Sequence, residues 1–302
     1  WYQTRIKGGG IMCQSKKNKS QRGNVKKFIK TLFNRKIVII AAIGVLCFIF
    51  LAVFADVVTR YDPNATNAQE TFASPSFRHL LGTDQYGRDT MTRLIYGARV
   101  SLIVGVLAVS IACVIGVLLG LCAAYFGGIV DIIIMRFCEA LQAIPSIMVS
   151  IALIAILGHS ITDLAIILAV STVPGYVRMM RGQALSIKNN DYVKAGEIMG
   201  AKSLYSMIRH ILPNAISPII VMLTQQVGAT ILMESGLSYL GVGITIPTAS
   251  WGTMVSDAKN LLISYPVLAI APGVCVALLV ICLNILGDGI RDAMDPRLRG
   301  EM

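Results

Sequence analysis

Apolar and polar positions divide the chain into six long apolar runs, at about 37–58, 101–126, 129–157, 163–182, 213–233 and 265–286. A helix needs about 20 apolar residues to cross the hydrocarbon core of a bilayer, so each run predicts a spanning helix. The first, Ile37 to Val58, meets no charge before Asp56. It is too long for a signal-peptide core and lacks a small-residue cleavage site before the next span, so it is expected to stay as the first span. Gly105, Gly116 and Gly120 in the second run allow another helix to come close, and Gly127-Gly128 makes a turn. In the third, Arg136 and Glu139 are three apart, which predicts an ion pair near the membrane surface rather than a substrate contact. Asp131 also falls in this run, and Pro145 near its middle. Ser171 to Tyr176 predicts a loosened stretch in the fourth span, with Arg178 and Arg181 at its cytoplasmic end. The fifth carries Thr224, Gln225, Gln226 and Thr230. Such groups cannot face lipid cheaply, so they face other helices or line a water-filled path, the two weighing equally.

The polar stretch Asp191 to Pro213 reads as two short helices. In the first, Asp191 is placed to cap, and Tyr192, Val193, Ala195, Ile198 and Met199 leave Lys194 and Glu197 on the other side. Gly200 supplies a left-handed stop. In the second, Ser203 is the expected cap and Leu204, Met207, Ile208 and Ile211 form one apolar stripe; Pro213 then opens the fifth span. Two longer polar segments, 59–99 and 234–264, are expected on the opposite side of the membrane.

Composition narrows the class. With 55% hydrophobic and 14% charged residues and a mean hydropathy of +0.69, the 302-residue chain is a polytopic membrane protein. Its net charge of +11 is concentrated before Val38, in Arg5, Lys7, Lys16, Lys17, Lys19, Arg22, Lys26, Lys27, Lys30, Arg35 and Lys36. A basic tail directly before an apolar span is retained on the cytoplasmic side and meets anionic lipid, which sets nucleic acid aside as a partner. Lys188, Lys194, Lys202 and Arg209 fall on the same side; Arg60, Arg78, Arg88, Arg93 and Arg99 on the other are the weak point of that orientation. Residues 1–12, which carry Gly8-Gly9-Gly10, are expected to be extraneous to the fold. Cys47, Cys113, Cys122, Cys138, Cys275 and Cys282 lie in apolar runs and Cys13 in the tail, reading as packing residues or free thiols.

Catalytic chemistry finds no footing. The chain has no Gly-x-x-x-x-Gly-Lys-Ser/Thr phosphate loop, so it is not expected to hydrolyse ATP itself. His79, His159 and His210 are dispersed, without acidic or Cys partners at metal spacing. Asp84 and Asp89 offer too few oxygens for a cation cage.

The spacing Asp191-Tyr192-x-x-Ala195-Gly196-x-x-x-Gly200, followed by Ile211-Leu212-Pro213, resembles the cytoplasmic loop of ABC-transporter permease subunits, which couples to the ATPase. Lys194 stands where that family often has Glu and Gly196 where it has a second Ala, so the family's salt bridge is not assumed. Gly82-Thr83-Asp84-x-x-Gly87-Arg88-Asp89 resembles the class that serves dipeptides, oligopeptides and nickel. Leu237-Ser238-x-Leu240-Gly241, Pro247-x-x-x-Trp251-Gly252 and the ending Asn284 to Arg299 are similar to the same class.

The resemblance implies an all-α membrane protein of six transmembrane helices, with the type I ABC importer permease fold and a coupling-helix loop between spans 4 and 5. The expected sections are a basic tail (1–36), the first span and external segment (37–98), a permease core (99–288) and a C-terminal tail (289–302). Asp191, Tyr192, Lys194, Ala195, Gly196, Gly200, Ala201, Leu212 and Pro213 would couple to the ATPase. The implied partners are a homologous second permease, two cytoplasmic ATP-binding subunits, an extracytoplasmic binding protein and the lipid bilayer. No cofactor is expected on this chain, ATP and Mg lying on the partners. The implied place is the cell membrane, with both termini cytoplasmic. Within the class, dipeptides, oligopeptides and nickel are not told apart, because selectivity rests largely with the binding protein.

Two rivals come from other classes. An ion-coupled secondary transporter would carry its own ion site at midplane, whereas the intramembrane charges here lie near helix ends. A membrane-embedded enzyme would need paired acidic, His or Ser groups at one depth.

Overall fold

The computed structural model describes residues 35–294. Residues 1–34, with most of the basic tail and Cys13, and residues 295–302, with the end of the closing motif, lie outside that range. Among the described residues the regular structure is helical apart from one isolated antiparallel bridge, Thr83 with Asp89.

The first span is α1, Lys36–Val53, followed by a single turn, α2, Ala55–Val58. The predicted continuous helix to Val58 breaks at Phe54 because its last carbonyls are taken by a distant side chain. Arg99 Nε donates to the Ala52 carbonyl (2.7 Å) and its NH2 to that of Val53 (3.1 Å), while the same guanidinium pairs with Asp56 at 2.8 Å.

The second span, α3, Thr90–Phe126, is 37 residues long, about 55 Å. It starts some ten residues before the apolar run, so the stretch read as an external excursion up to Arg99 is in part helix. Asp89 fixes the start by accepting from the Thr92 N–H at 2.8 Å. Gly127, at φ +63°, ends α3 at the predicted turn.

The third apolar run is two helices, α4 (Gly128–Ala143) and α5 (Ser146–Leu157), bent by 93° at their break. Pro145 forces Ile144 out of helical geometry, to φ −98° and ψ 132°, which a straight span could not absorb. The next span, α6, Ile161–Lys188, opens on a capping box of Ser160 and Asp163. The loosening predicted around Pro174 does not interrupt it. The polar stretch then forms α7, Asp191–Ile198, and a short α8, Ser203–Ser206. A π-turn at Met207–Ile211 leads without a break into α9, Leu212–Tyr239. Beyond α9 come α10, Trp251–Ala258, and the last span, α11, Pro266–Met294.

Among the described residues five helices are long and apolar enough to cross a membrane, or six spans if the bent pair counts as one. The tightest seam joins α3 to α6. A Cβ on Gly116 would stand 2.4 Å from Tyr176 Cβ, and one on Gly120 2.5 Å from the Val177 carbonyl oxygen, so only glycine permits that approach. Around it lie Val109, Ala112, Leu121 and Met180, continuous with Ile219, Ile231 and Leu279. The bundle thus has a loop-rich end, holding 59–89 and 240–264, and an opposite end that carries α7 and α8.

Candidate functional site

The α7–α8 loop is held on the bundle by polar contacts that cross long stretches of sequence. Lys188, the last residue of α6, donates to the Tyr125 carbonyl at 2.5 Å and so occupies an otherwise unpaired acceptor at the end of α3. Tyr125 in turn donates its hydroxyl to Glu197 Oε1 at 3.1 Å, fixing α7 to α3. Asn190, not Asp191, is the residue before α7, and it makes no side-chain cap; Asp191 sits in the first turn, where its charge suits the helix dipole. Likewise Lys202 precedes α8, and Ser203 is its first residue rather than its cap.

Gly200 does end α7. At φ +87° it accepts a conformation most residues avoid, donating to the Glu197 carbonyl (2.9 Å) while Ala201 donates to that of Gly196 (3.0 Å). That pair of bonds is a Schellman closure, which turns the chain sharply into α8.

Burial divides the loop into two faces. Val193 is fully buried, and Gly196 faces inward on His210, where a Cβ would lie 3.7 Å from Nε2. Tyr192 and Tyr205 meet the His210 ring edge-on, and Asn214 donates to Tyr192 Oη (3.2 Å) and to the His210 carbonyl (2.7 Å). Facing away from the bundle, Ile198 (86% exposed), Met199 (82%), Leu204, Tyr205 and Ile208 leave an uncovered apolar edge beside Lys194 and Ala195. The predicted stripe therefore splits: Met207 and Ile211 are buried, Leu204 and Ile208 are not. The π-turn is the reason, since its wider spacing shifts the helical phase between α8 and α9.

Pro213 accounts for that turn. It has no N–H for the Arg209 carbonyl and its ring crowds that group. Leu212 N–H accordingly donates back to Met207, and the helix passes through Leu212 and Pro213 instead of restarting there.

Of the four polar residues in the fifth span, two meet a neighbouring helix. Thr224 donates to the Val221 carbonyl (2.8 Å) and Gln225 to Asp288 Oδ1 (3.1 Å) on α11, both side chains lying against Gly287. Gln226 is half-buried, and Thr230 is buried with no hydrogen-bond partner among the described residues.

At the loop-rich end, the Gly82 to Asp89 motif is a scaffold. Asp84 accepts from the Tyr86 and Arg88 N–H groups (2.8 and 3.0 Å) and from Arg88 Nε at 2.6 Å. Thr83 donates its hydroxyl to the Glu70 carbonyl and accepts from Ala73 N–H at 2.8 Å. Gly82 and Gly87 both have positive φ. His79 Nδ1 lies 2.8 Å from Asp89 Oδ1 and its Nε2 3.5 Å from Glu70, contacts made across the fold rather than at a spacing the sequence shows. Among the described residues no group of His, Cys, Asp and Glu has the arrangement to hold a metal ion.

Three features escape a reading of the sequence. Asp131 and Arg181 form a two-bond pair at 2.5 and 2.6 Å between α4 and α6. Glu234, expected to begin a loop, is fully buried inside α9, where Ser101 (3.0 Å) and Ser238 (2.9 Å) donate to its carboxyl. Asp257 faces Arg88 at 3.6 Å, and burial pushes its carboxyl above the ordinary aspartate range against the pull of Arg88 and Arg93. The only sequence signal for these was acid in an apolar or short helical setting. The predicted Arg136–Glu139 pair is present at 2.8 Å.

The described residues form a multi-span helical bundle that presents a small helical loop at one end. The chain belongs to the family of binding-protein-dependent transport system inner membrane components, the permease subunits of ABC importers, whose model matches residues 116–300. It is 38% identical over 274 residues to the dipeptide transport system permease protein of Alkalihalophilus pseudofirmus, covering 91% of this chain and 90% of that one. It is 35% identical over 284 residues to the glutathione transport system permease protein of Pectobacterium atrosepticum, covering 94% of each. A putative peptide transport system permease protein of Brucella suis is 36% identical over 272 residues, covering 90% of this chain and 92% of that one. In fold, the chain is similar to the MetNI methionine ABC transporter in an inward-facing conformation, with a TM-score of 0.57 at 18% identity, over 68% of this chain and 98% of that one. Family membership sets the ion-coupled secondary transporter aside.

Proposed function

We infer that the chain forms one half of the pathway of an ATP-driven importer of short peptides, and that the α7–α8 loop carries the drive. The observation behind this is the uncovered apolar edge of Ile198, Met199, Leu204, Tyr205 and Ile208 on a loop pinned to α3 and α6. A surface so apolar at the end of a membrane bundle suits a partner groove better than water. The partners are a homologous permease, two cytoplasmic ATP-binding subunits and an extracytoplasmic binding protein. ATP and Mg act on the ATP-binding subunits, and this chain does no catalysis. The α7–α8 end and both termini face the cytoplasm. Peptides are preferred over nickel because three relatives are named for dipeptide, glutathione or peptide transport.

In this scheme ATP-driven closure pushes α7, and the contacts of Glu197 and Lys188 pass the displacement to α3 and α6. The test is reconstitution. The chain alone should show no ATPase activity, and the full complex should show activity that rises with loaded binding protein, together with uptake of labelled dipeptide but not of nickel. Uptake driven by an ion gradient without any ATP-binding subunit would overturn the reading.

A further inference from the structure

The loop-rich end holds a groove that neither the coupling loop nor the fold requires. It has a volume of about 560 Å³ and lies between the end of α2, the loop 77–80 and the first turns of α3, with Val58, Arg60, Phe77, Arg78, Leu80 and Ile95 in its lining. Phe77 is 100% exposed, and Leu80 is 62% exposed. No intramolecular packing explains an uncovered Phe beside an uncovered Leu.

Depth identifies what lies opposite. The exposed apolar face of α1 and α2 runs through Ile40, Leu46, Phe50, Val53 and Val57 into the floor of the groove at Val58. The ion pair of Asp56 and Arg99, 2.8 Å long and partly exposed, interrupts that face, and because charge at a lipid-facing surface is costly in hydrocarbon it marks the level at which the face reaches the headgroups. Ile95 is one helical turn beyond Arg99, about 6 Å further out. The headgroup layer on each side of a bilayer is roughly 5–7 Å thick, so the groove sits within it. Its charge agrees: Arg60 is exposed and makes no hydrogen bond or ion pair among the described residues, and Arg78 is held at the rim by Glu70 at 2.5 Å. The one acid in the lining, Asp89, is already engaged by His79 and the Thr92 N–H.

We propose that this groove is a binding site for an anionic phospholipid, with Phe77, Leu80 and Val58 against the acyl and glycerol region, Arg60 on the phosphate and Arg78, paired with Glu70, at the rim. Aromatic and aliphatic groups at the interface bring the loop down onto the bilayer, and each guanidinium near an anionic surface favours the charged lipid. The bound lipid ties the loop 77–80, and through His79 and Asp89 the start of α3, to the membrane.

The test uses the full chain in nanodiscs, carrying Phe77→Trp, with the parent chain supplying the background from Trp1 and the buried Trp251. Bromine-labelled phosphatidylglycerol should quench the new tryptophan more strongly than equally labelled phosphatidylcholine at the same mole fraction. Arg60→Gln should raise the phosphatidylglycerol fraction needed for half-quenching about fivefold, and Arg60→Lys should largely restore it. Equal quenching by the two lipids, no quenching, or a preference unchanged by Arg60→Gln would each overturn the site. A signal from the introduced tryptophan that answers only to added binding protein or second permease would also overturn it, by giving the surface to a protein.

Discussion

Gly200 and Lys194 lie six residues apart, and they test the proposed coupling role in different ways. Gly200 holds φ +87° with open space around it, so a side chain there meets strain and no clash. Gly200→Val should cost about 1–2 kcal/mol in the left-handed conformation, loosening the turn and misplacing α8. The expected result is reduced co-purification of the ATP-binding subunits and lost uptake, with membrane insertion intact. Wild-type yield and uptake would take the coupling role away from this segment. Lys194 is exposed beside the apolar edge, so Lys194→Glu reports on the partner's charge. If that surface is acidic, the reversal should weaken assembly, more so at low salt, as pull-down across an ionic-strength series would measure.

Helix ends decide more here than helix interiors. Asp89 illustrates this: one carboxylate oxygen caps α3 at Thr92, and the other receives His79. Asp89→Ala removes both bonds and should destabilise the folded chain by about 1 kcal/mol or more for the cap alone. Asp89→Asn can still accept at Thr92 and should fall between the two. Thermal unfolding in detergent, read on the buried Trp251 whose indole donates to the Leu94 carbonyl at 2.9 Å, ranks the three. An Asp89→Ala chain as stable as its parent would mean the start of α3 is held by Arg88, Arg93 and their acids instead.

Across the whole molecule, the five arginines between Arg60 and Arg99 weaken any orientation argued from charge. Most of them are occupied in the fold: Arg78 on Glu70, Arg88 on Asp84, Arg93 near Asp84, and Arg99 on Asp56. They build the cap of the bundle, and the orientation is left to the basic tail. Single cysteines at Asn67 and Ser203, both exposed and at opposite ends, should therefore label from opposite sides of the membrane in a background without native Cys. Labelling of both by an impermeant external reagent would overturn the arrangement.

Local chemistry was legible from residues alone. Apolar length marked the spans, Gly127 and Gly200 marked turns, and Arg136 with Glu139 predicted an ion pair one helical turn apart, because each depends on neighbours within a few positions. The α7–α8 loop was legible as two short helices from its apolar periodicity and the stop at Gly200; which of its apolar residues face outward was not, since the π-turn resets the phase. Charge was a poor guide to where helices end: Arg93 and Glu234 looked like loop and are helix, because partners elsewhere make their burial tolerable. Those partners lie far off in sequence, as with Arg181 and Asp131, Glu234 and Ser101, or Trp251 and Leu94. The sequence by itself determined a multi-span helical membrane protein with a polar two-helix loop between two spans, since hydrophobic length and turn chemistry act locally. Only the tertiary structure decided the 93° bend, the start of α3 at Thr90 well before its apolar run, and the network around Asp84 and Asp257, because a buried charge or a broken helix is stable only once the fold supplies its partner.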